Sequence, residues 1–232
     1  MTFSNSDFKP AGFYAKTSGL KAIVYGPPGS AKTPILNTAP RPILLATEAG
    51  LLSMKGSTIP TCEAHTPAAI DDFFKWLLHS TEPKNFDTIG IDSISHLCEV
   101  YLTSIMNGTS KAGNKVHGQA AYGEMAKMVM DHMRPLYHLP NKHVYGIAKQ
   151  GDILVSGINV LRPSFPGKYL PVELPHLFDA ILRLAIHRVP GVGDTLAFRC
   201  LQSIDEIARN RTGNLLEFEQ PDFGKLVQKA MQ

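Results

Sequence analysis

The stretch GPPGSAKT, residues 26–33, comes directly after the apolar run KAIVYG, residues 21–26. It matches the phosphate-loop pattern G-x-x-x-x-G-K-[ST] at every fixed position but one, because Ala31 stands where the last glycine is expected. Lys21 to Tyr25 read as a short buried strand, and Thr33 to Thr38 as the opening of a helix that Pro40 and Pro42 end early. Pro34 fits the first helical turn, where its missing N–H has no intrahelical acceptor. A loop of this kind curls backbone N–H groups around phosphates and aims the positive end of the next helix at them. The candidate cradle is Gly26, Pro27, Pro28, Gly29, Ser30, Ala31, Lys32, Thr33 and Pro34. Lys32 would reach the β- and γ-phosphates of ATP, and the Thr33 hydroxyl would bind Mg²⁺. Alanine at 31 is harmless if the backbone there is helical and costs about 1–2 kcal/mol if φ is positive.

The rest of the chain supplies an ordinary globular setting. With 44% hydrophobic residues in 232, a full core is expected and global disorder is not. The net charge of +3 is too small to call a nucleic-acid partner by itself. Cys62, Cys98 and Cys200 form no CxxC pair, which points to reduced, buried thiols. No signal-peptide pattern opens the chain, and no apolar run approaches the roughly 18–20 residues that span a bilayer. A soluble protein without a membrane partner is expected.

Apolar runs alternate with helical spacing. RPILLATE (41–48) and TIGIDS (88–93) are strands ending in acids, and a further strand lies near 60–65. Residues 67–79, 94–105 and 120–139 have helical periodicity, the last with methionines expected to fill core. HVYGIAKQ (143–150) is another strand, and 151–177 reads as a proline- and glycine-bearing connection. AILRLAIHR (180–188) and TLAFRCLQS (195–203) make a hairpin, and a short helix closes the chain. His132, His138 and His143 show no zinc spacing and read as structural or surface residues. The fold class is α/β, with a mostly parallel sheet, helices on both faces and a C-terminal antiparallel hairpin extension. Residues 1–19 read as an N-terminal arm and 20–232 as one domain.

Two acids are placed to work with the loop. Asp92 closes TIGID as a metal-holding aspartate would, directly or through water, with Ser93 beside it to tune water or metal. Glu48 closes RPILLATE, where a carboxylate can orient and polarise an attacking water. Both lie at carboxyl ends of strands, where open α/β sheets bind ligands.

This set resembles the RecA-like P-loop ATPases. ATEAGL (46–51) is similar to their catalytic-glutamate segment, IDS (91–93) to their aspartate strand, and HVYGIAKQ to their sensor strand, with Lys149 and Gln150 both candidates for the sensor. Over residues 20–225 the chain looks most like a compact phage-encoded branch of AAA or nucleotide-binding phage proteins, some of which are single-strand annealing recombinases. GPPGSAKT, the strand ending in Thr47–Glu48, FDTIGIDS (86–93) and RNRTG (209–213) carry that likeness. Ala31 and Pro34 depart from the pattern, which bears on turnover more than on binding.

The resemblance implies catalytic roles for Glu48, Lys32 and Gln150. It also implies that Arg209 and Arg211 reach a neighbouring subunit's γ-phosphate, since i and i+2 share one face of an extended segment. It further implies a filament or ring with ATP at the interfaces, a cytoplasmic location in a bacterial host, and a single-strand-binding protein as a partner. FKPA (8–11) fits the F-x-x-A docking motif, with Phe8 and Ala11 as its fixed residues. Single-stranded DNA would be held by two mobile loops, one with Lys111, Lys115 and His117, the other with Arg162, Phe165 and Lys168. The expected function is thus DNA-dependent ATPase activity in strand annealing or pairing. A nucleotide-dependent interaction switch without DNA binding is the alternative, and a nucleoside kinase a third reading.

Overall fold

Strand β1 (Lys21–Gly26) is buried along its whole length, as the apolar run AIVY (22–25) requires of a strand covered on both faces. Its side chains alternate: Ile23 and Tyr25 enter one core, Ala22 and Val24 the other. The computed structural model describes residues 4, 8–108 and 118–232. Within them the elements run α1 (Ala11–Ser18), β1, β2 (Pro42–Ala46), β3 (Thr61–Glu63), α2 (Pro67–His79), β4 (Thr88–Asp92), α3 (Ile94–Asn107), α4 (Gly118–His138), β5 (His143–Val155), β6 (Ile158–Ser164), α5 (Leu170–His176), β7 (Ala180–Val189), β8 (Gly193–Arg199), β9 (Arg209–Asn210), β10 (Phe218–Glu219) and α6 (Phe223–Ala230).

One sheet carries the molecule, in the order β10-β8-β7-β1-β5-β4-β2-β3. The six strands from β7 to β3 are mutually parallel. β8 and β10 extend that set antiparallel, and β6 and β9 pair antiparallel with β5 and β7. Strand β5 separates the loop strand β1 from the acid-ending β4, within the mostly parallel α/β sheet expected from the sequence. Helices α2, α3, α4 and α5 cover one face, and α6 with the short turn after the loop covers the other. Met125, Met130 and Met133 are core filler, as read. His132 is structural: its Nε2 lies 2.7 Å from Tyr101 Oη and 2.9 Å from Asp71 Oδ1, and its ring stacks on Phe74. Cys98 and Cys200 are buried and all three cysteines are free. Among the described residues no helix is long and apolar enough to cross a membrane.

The structure differs from the sequence reading in two places that matter for the site. The segment after the loop is not an α-helix but a five-residue 3₁₀ turn, Pro34–Thr38. Pro34 removes one donor, and the chain turns into β2 at Pro42 before a second α-helical turn can form. Residues 151–164 are not a loop. Strand β5 continues to Val155, and the two-residue turn Ser156–Gly157 (φ 50° and 84°) returns the chain as β6. Positive φ at both central residues suits a tight hairpin.

Candidate functional site

The site forms at the carboxyl ends of β1, β2 and β4 and beside the middle of β5. Gly26, Pro28, Gly29, Lys32, Thr33, Glu48, Asp92, Ser93, Lys149 and Gln150 line one cleft of about 460 Å³. The loop is shaped by its two glycines for different reasons. A Cβ at Gly26 would lie 2.1 Å from the Leu184 carbonyl oxygen of β7, so only glycine lets the strand end this close to its neighbour. Gly29 has φ +77°, the left-handed region. Ala31 is left-handed as well, with φ +61°. Its methyl group therefore carries the cost set out for the positive-φ case. Ala31→Gly is expected to stabilise the fold by about 0.5–1 kcal/mol after the extra chain entropy of glycine is counted, read as a rise of about 2 °C in Tm.

Among the described residues no protein acceptor takes the N–H of Gly29, Ala31, Lys32 or Thr33. Four such donors on one tight loop form an anion cradle. The Lys32 ammonium lies inside it, donating to the carbonyls of Gly26 (2.9 Å) and Pro27 (2.8 Å) and to Ser30 Oγ (3.3 Å). Burial lowers the Lys32 pKa, and the negative charges of Asp92 and Glu48 oppose that shift. The fully buried Tyr145 donates to the Lys32 carbonyl at 2.8 Å and fixes the backbone beneath the lysine.

The metal side is equally defined. Thr33 Oγ1 donates to Asp92 Oδ2 at 2.6 Å. Burial raises the Asp92 pKa, with Glu48 adding to the rise, while the Thr33 hydrogen bond and Lys32 hold it down. A hydroxyl and a carboxylate in contact beside a phosphate cradle are hard oxygen donors that fit Mg²⁺. The Asp92–Ser93 peptide bond is cis. Ser93 caps α3 by accepting from His96 N–H, and its hydroxyl donates to Glu48 Oε1 at 2.5 Å. Thr47 ties the two strand ends, taking the N–H of Ser93 at 3.1 Å. Glu48 sits two residues beyond β2 rather than in it. The strand ends thus bring Lys32, Thr33, Glu48, Asp92 and Ser93 together.

The sensor candidates separate. Lys149 turns to Glu99, with both carboxylate oxygens 2.8 Å from its Nζ. Gln150 lines the cleft, and its Oε1 accepts from Arg183 Nε at 3.0 Å. Arg183 was not singled out from the sequence, although one arginine inside AILRLAIHR is a signal, because a charge within a buried strand needs partners.

Other expected residues are placed away from the cleft. Phe165 is 6% exposed and packs in the core with Leu170 and Phe178, so it cannot stack on bases. This corrects its DNA-binding assignment: Phe165 directly follows β6, in the irregular segment before α5, and its ring is turned into the core rather than outward. Arg162 lies on β6 opposite Gly151 and is half-buried, while Lys168 is exposed. Lys111, Lys115 and His117 lie outside the described residues. The structure does not bring Arg209 or Arg211 to their own chain's loop. Arg209 donates to the carbonyls of Pro175 and Phe178 (the latter at 2.6 Å), and Arg211 to that of His176 at 3.1 Å.

A family model described as "AAA domain" matches residues 18–212. The chain belongs to that family. The AAA domain is a P-loop ATPase fold, which supports nucleotide binding, and the family generally uses a nucleotide with Mg²⁺. Among solved structures, a KaiC-like protein from the hyperthermophilic archaeon Pyrococcus horikoshii OT3 is similar, at 11% identity over 78% of each chain with a TM-score of 0.44. No curated protein matches the sequence.

Proposed function

We propose that this AAA domain binds ATP and Mg²⁺ in the Gly26–Thr33 cleft and hydrolyses ATP as part of single-stranded-DNA annealing or pairing. The observation that carries the ATPase reading is the joining of Glu48 to the Thr33–Asp92 pair through Ser93, 2.5 Å from the glutamate. Mg²⁺ held at Thr33 and Asp92 would neutralise phosphate charge, and Lys32 would compensate the charge on the terminal phosphates. Glu48 is the base available to take the proton of an attacking water, and the Ser93 hydroxyl keeps its carboxylate in place.

The DNA reading is supported by the likeness of the motif set to single-strand annealing recombinases and by the basic residues Lys111, Lys115, Arg162 and Lys168. In the proposed assembly, nucleotide lies between copies of the chain. Arg211, the exposed member of its pair, would face a neighbour, and Phe8 and Ala11, both exposed, would dock it. Neutralising Lys111, Lys115, Arg162 and Lys168 together is expected to weaken binding to a single-stranded oligonucleotide and to flatten its salt dependence by about 0.7 per lost phosphate contact. Unchanged affinity at every salt concentration would overturn the DNA assignment.

One observation favours a second reading, a nucleotide-dependent interaction switch. The β5–β6 hairpin exposes Ile153, Leu154, Val155 and Ile158, and residues 151–161 contain no lysine or arginine. Such a tip suits a protein surface better than a phosphate backbone. On this reading the charge-neutralised variant keeps its behaviour, while Leu154→Asp loses a partner.

A further inference from the structure

One buried arginine beside the cleft stands outside the motifs. Arg183 lies on β7 beside Tyr25 of β1 in the parallel register. Its side chain is only 12% exposed. One end of the guanidinium pairs with Glu206, Nη1 to Oε1 at 2.6 Å, and the Nε donates to Gln150 Oε1 at 3.0 Å. Glu206 is itself buried, with Arg199 Nε 3.6 Å from its second oxygen. Arg183 is thus fixed from two sides.

A glutamine amide has two unlike ends, an acceptor oxygen and a donor NH₂, and either can be turned outward. Arginine has donors only. The end of Gln150 that meets Arg183 must therefore be the oxygen, which leaves the NH₂ as the end available to the cleft. Among the described residues that NH₂ has no protein acceptor. Gln150 shares the cleft wall with Lys32, Thr33, Glu48 and Asp92. Because Glu206 balances the Arg183 charge, what Arg183 contributes to the cleft is orientation and not net positive charge.

We propose that Arg183 is a positioning residue: it holds Gln150 with its NH₂ toward the terminal phosphate, and so makes the cleft prefer a nucleoside triphosphate to a diphosphate. This rests on the reading of the cleft as the nucleotide site. A phosphate oxygen is an acceptor only, so the reversed amide would oppose it with an oxygen. The diphosphate lacks the group that Gln150 would meet, and its affinity should not register the difference.

The test is titration with Mg²⁺ complexes of ADP and of a non-hydrolysable ATP analogue. Removing Arg183 alone would leave Glu206 buried beside a missing partner, so the variant is Arg183→Met with Glu206→Met, which takes out both charges together. Gln150→Leu in the wild-type background is the second variant. Both are expected to bind the ATP analogue about tenfold more weakly, the loss of a hydrogen bond to a charged group, with ADP affinity changed less than about twofold. Adding Gln150→Leu to the Met/Met variant should then lower affinity no further, because an unoriented glutamine has already lost its contact. Equal losses for both nucleotides, or an unchanged ratio in Gln150→Leu, would overturn the proposal. A wild type that binds both nucleotides equally would overturn it too while leaving the nucleotide site standing. A wild type that binds neither would overturn the site reading and this inference together.

Discussion

Glu48→Gln is expected to bind Mg·ATP with close to wild-type affinity and to hydrolyse it about 10²–10⁴-fold more slowly. The substitution keeps size and shape. It replaces a carboxylate that can take a proton from water by an amide that cannot. Ser93 can still donate to the amide oxygen, since it now gives its hydroxyl to Glu48 Oε1 at 2.5 Å, so the local geometry should survive. The check is single-turnover phosphate release alongside a binding titration. Slow turnover with intact binding assigns the base. Weak binding would instead mean that Glu48 holds the metal or the loop. Wild-type turnover would remove Glu48 from the chemistry.

Lys32→Ala is expected to lower ATP affinity by about 10²–10⁴-fold. The ammonium lies within the cradle, held by two carbonyls at 2.8–2.9 Å, and in the complex it would exchange these for phosphate oxygens. Two charge-assisted hydrogen bonds at about 1.5–3 kcal/mol each set the scale. The lysine is partly desolvated, as its lowered pKa records, so its charge is screened less than a surface charge would be. Competition of a fluorescent ATP analogue with unlabelled Mg·ATP measures the effect, with a thermal melt to confirm folding. An affinity within threefold of wild type would place the nucleotide elsewhere.

Much of this site can be read from the sequence, for reasons of backbone geometry. The apolar runs AIVY (22–25) and IGI (89–91) are followed by a glycine and an acid. A central parallel strand requires the run, and a ligand at its carboxyl end requires the change of chemistry. What failed had a physical cause in each instance. ILVSGINV (153–160) carries a Ser–Gly turn between two apolar runs, which is a hairpin signal, but nearby prolines and glycines suggested a loop. The helix after Thr33 was expected from the usual course of a phosphate loop, whereas Pro34 and a left-handed Ala31 leave room for one 3₁₀ turn. Phe165 looked like a stacking ring because all of 151–177 was read as a connection; it does lie in the segment after β6, but its ring is buried in the core. Arg183 needs three partners from distant parts of the chain, Gln150, Glu206 and the β1–β7 pairing, and no local pattern announces such a meeting.

In the proposed function, ATP turnover in the Glu48–Asp92–Lys32 cleft is coupled to a single strand. Steady-state phosphate release by the full chain, with and without a single-stranded oligonucleotide, tests it most directly. Release is expected to be faster with the oligonucleotide, an effect that fades as salt is raised because phosphate contacts are lost. An ATPase rate that is identical with and without the strand at low salt would contradict it.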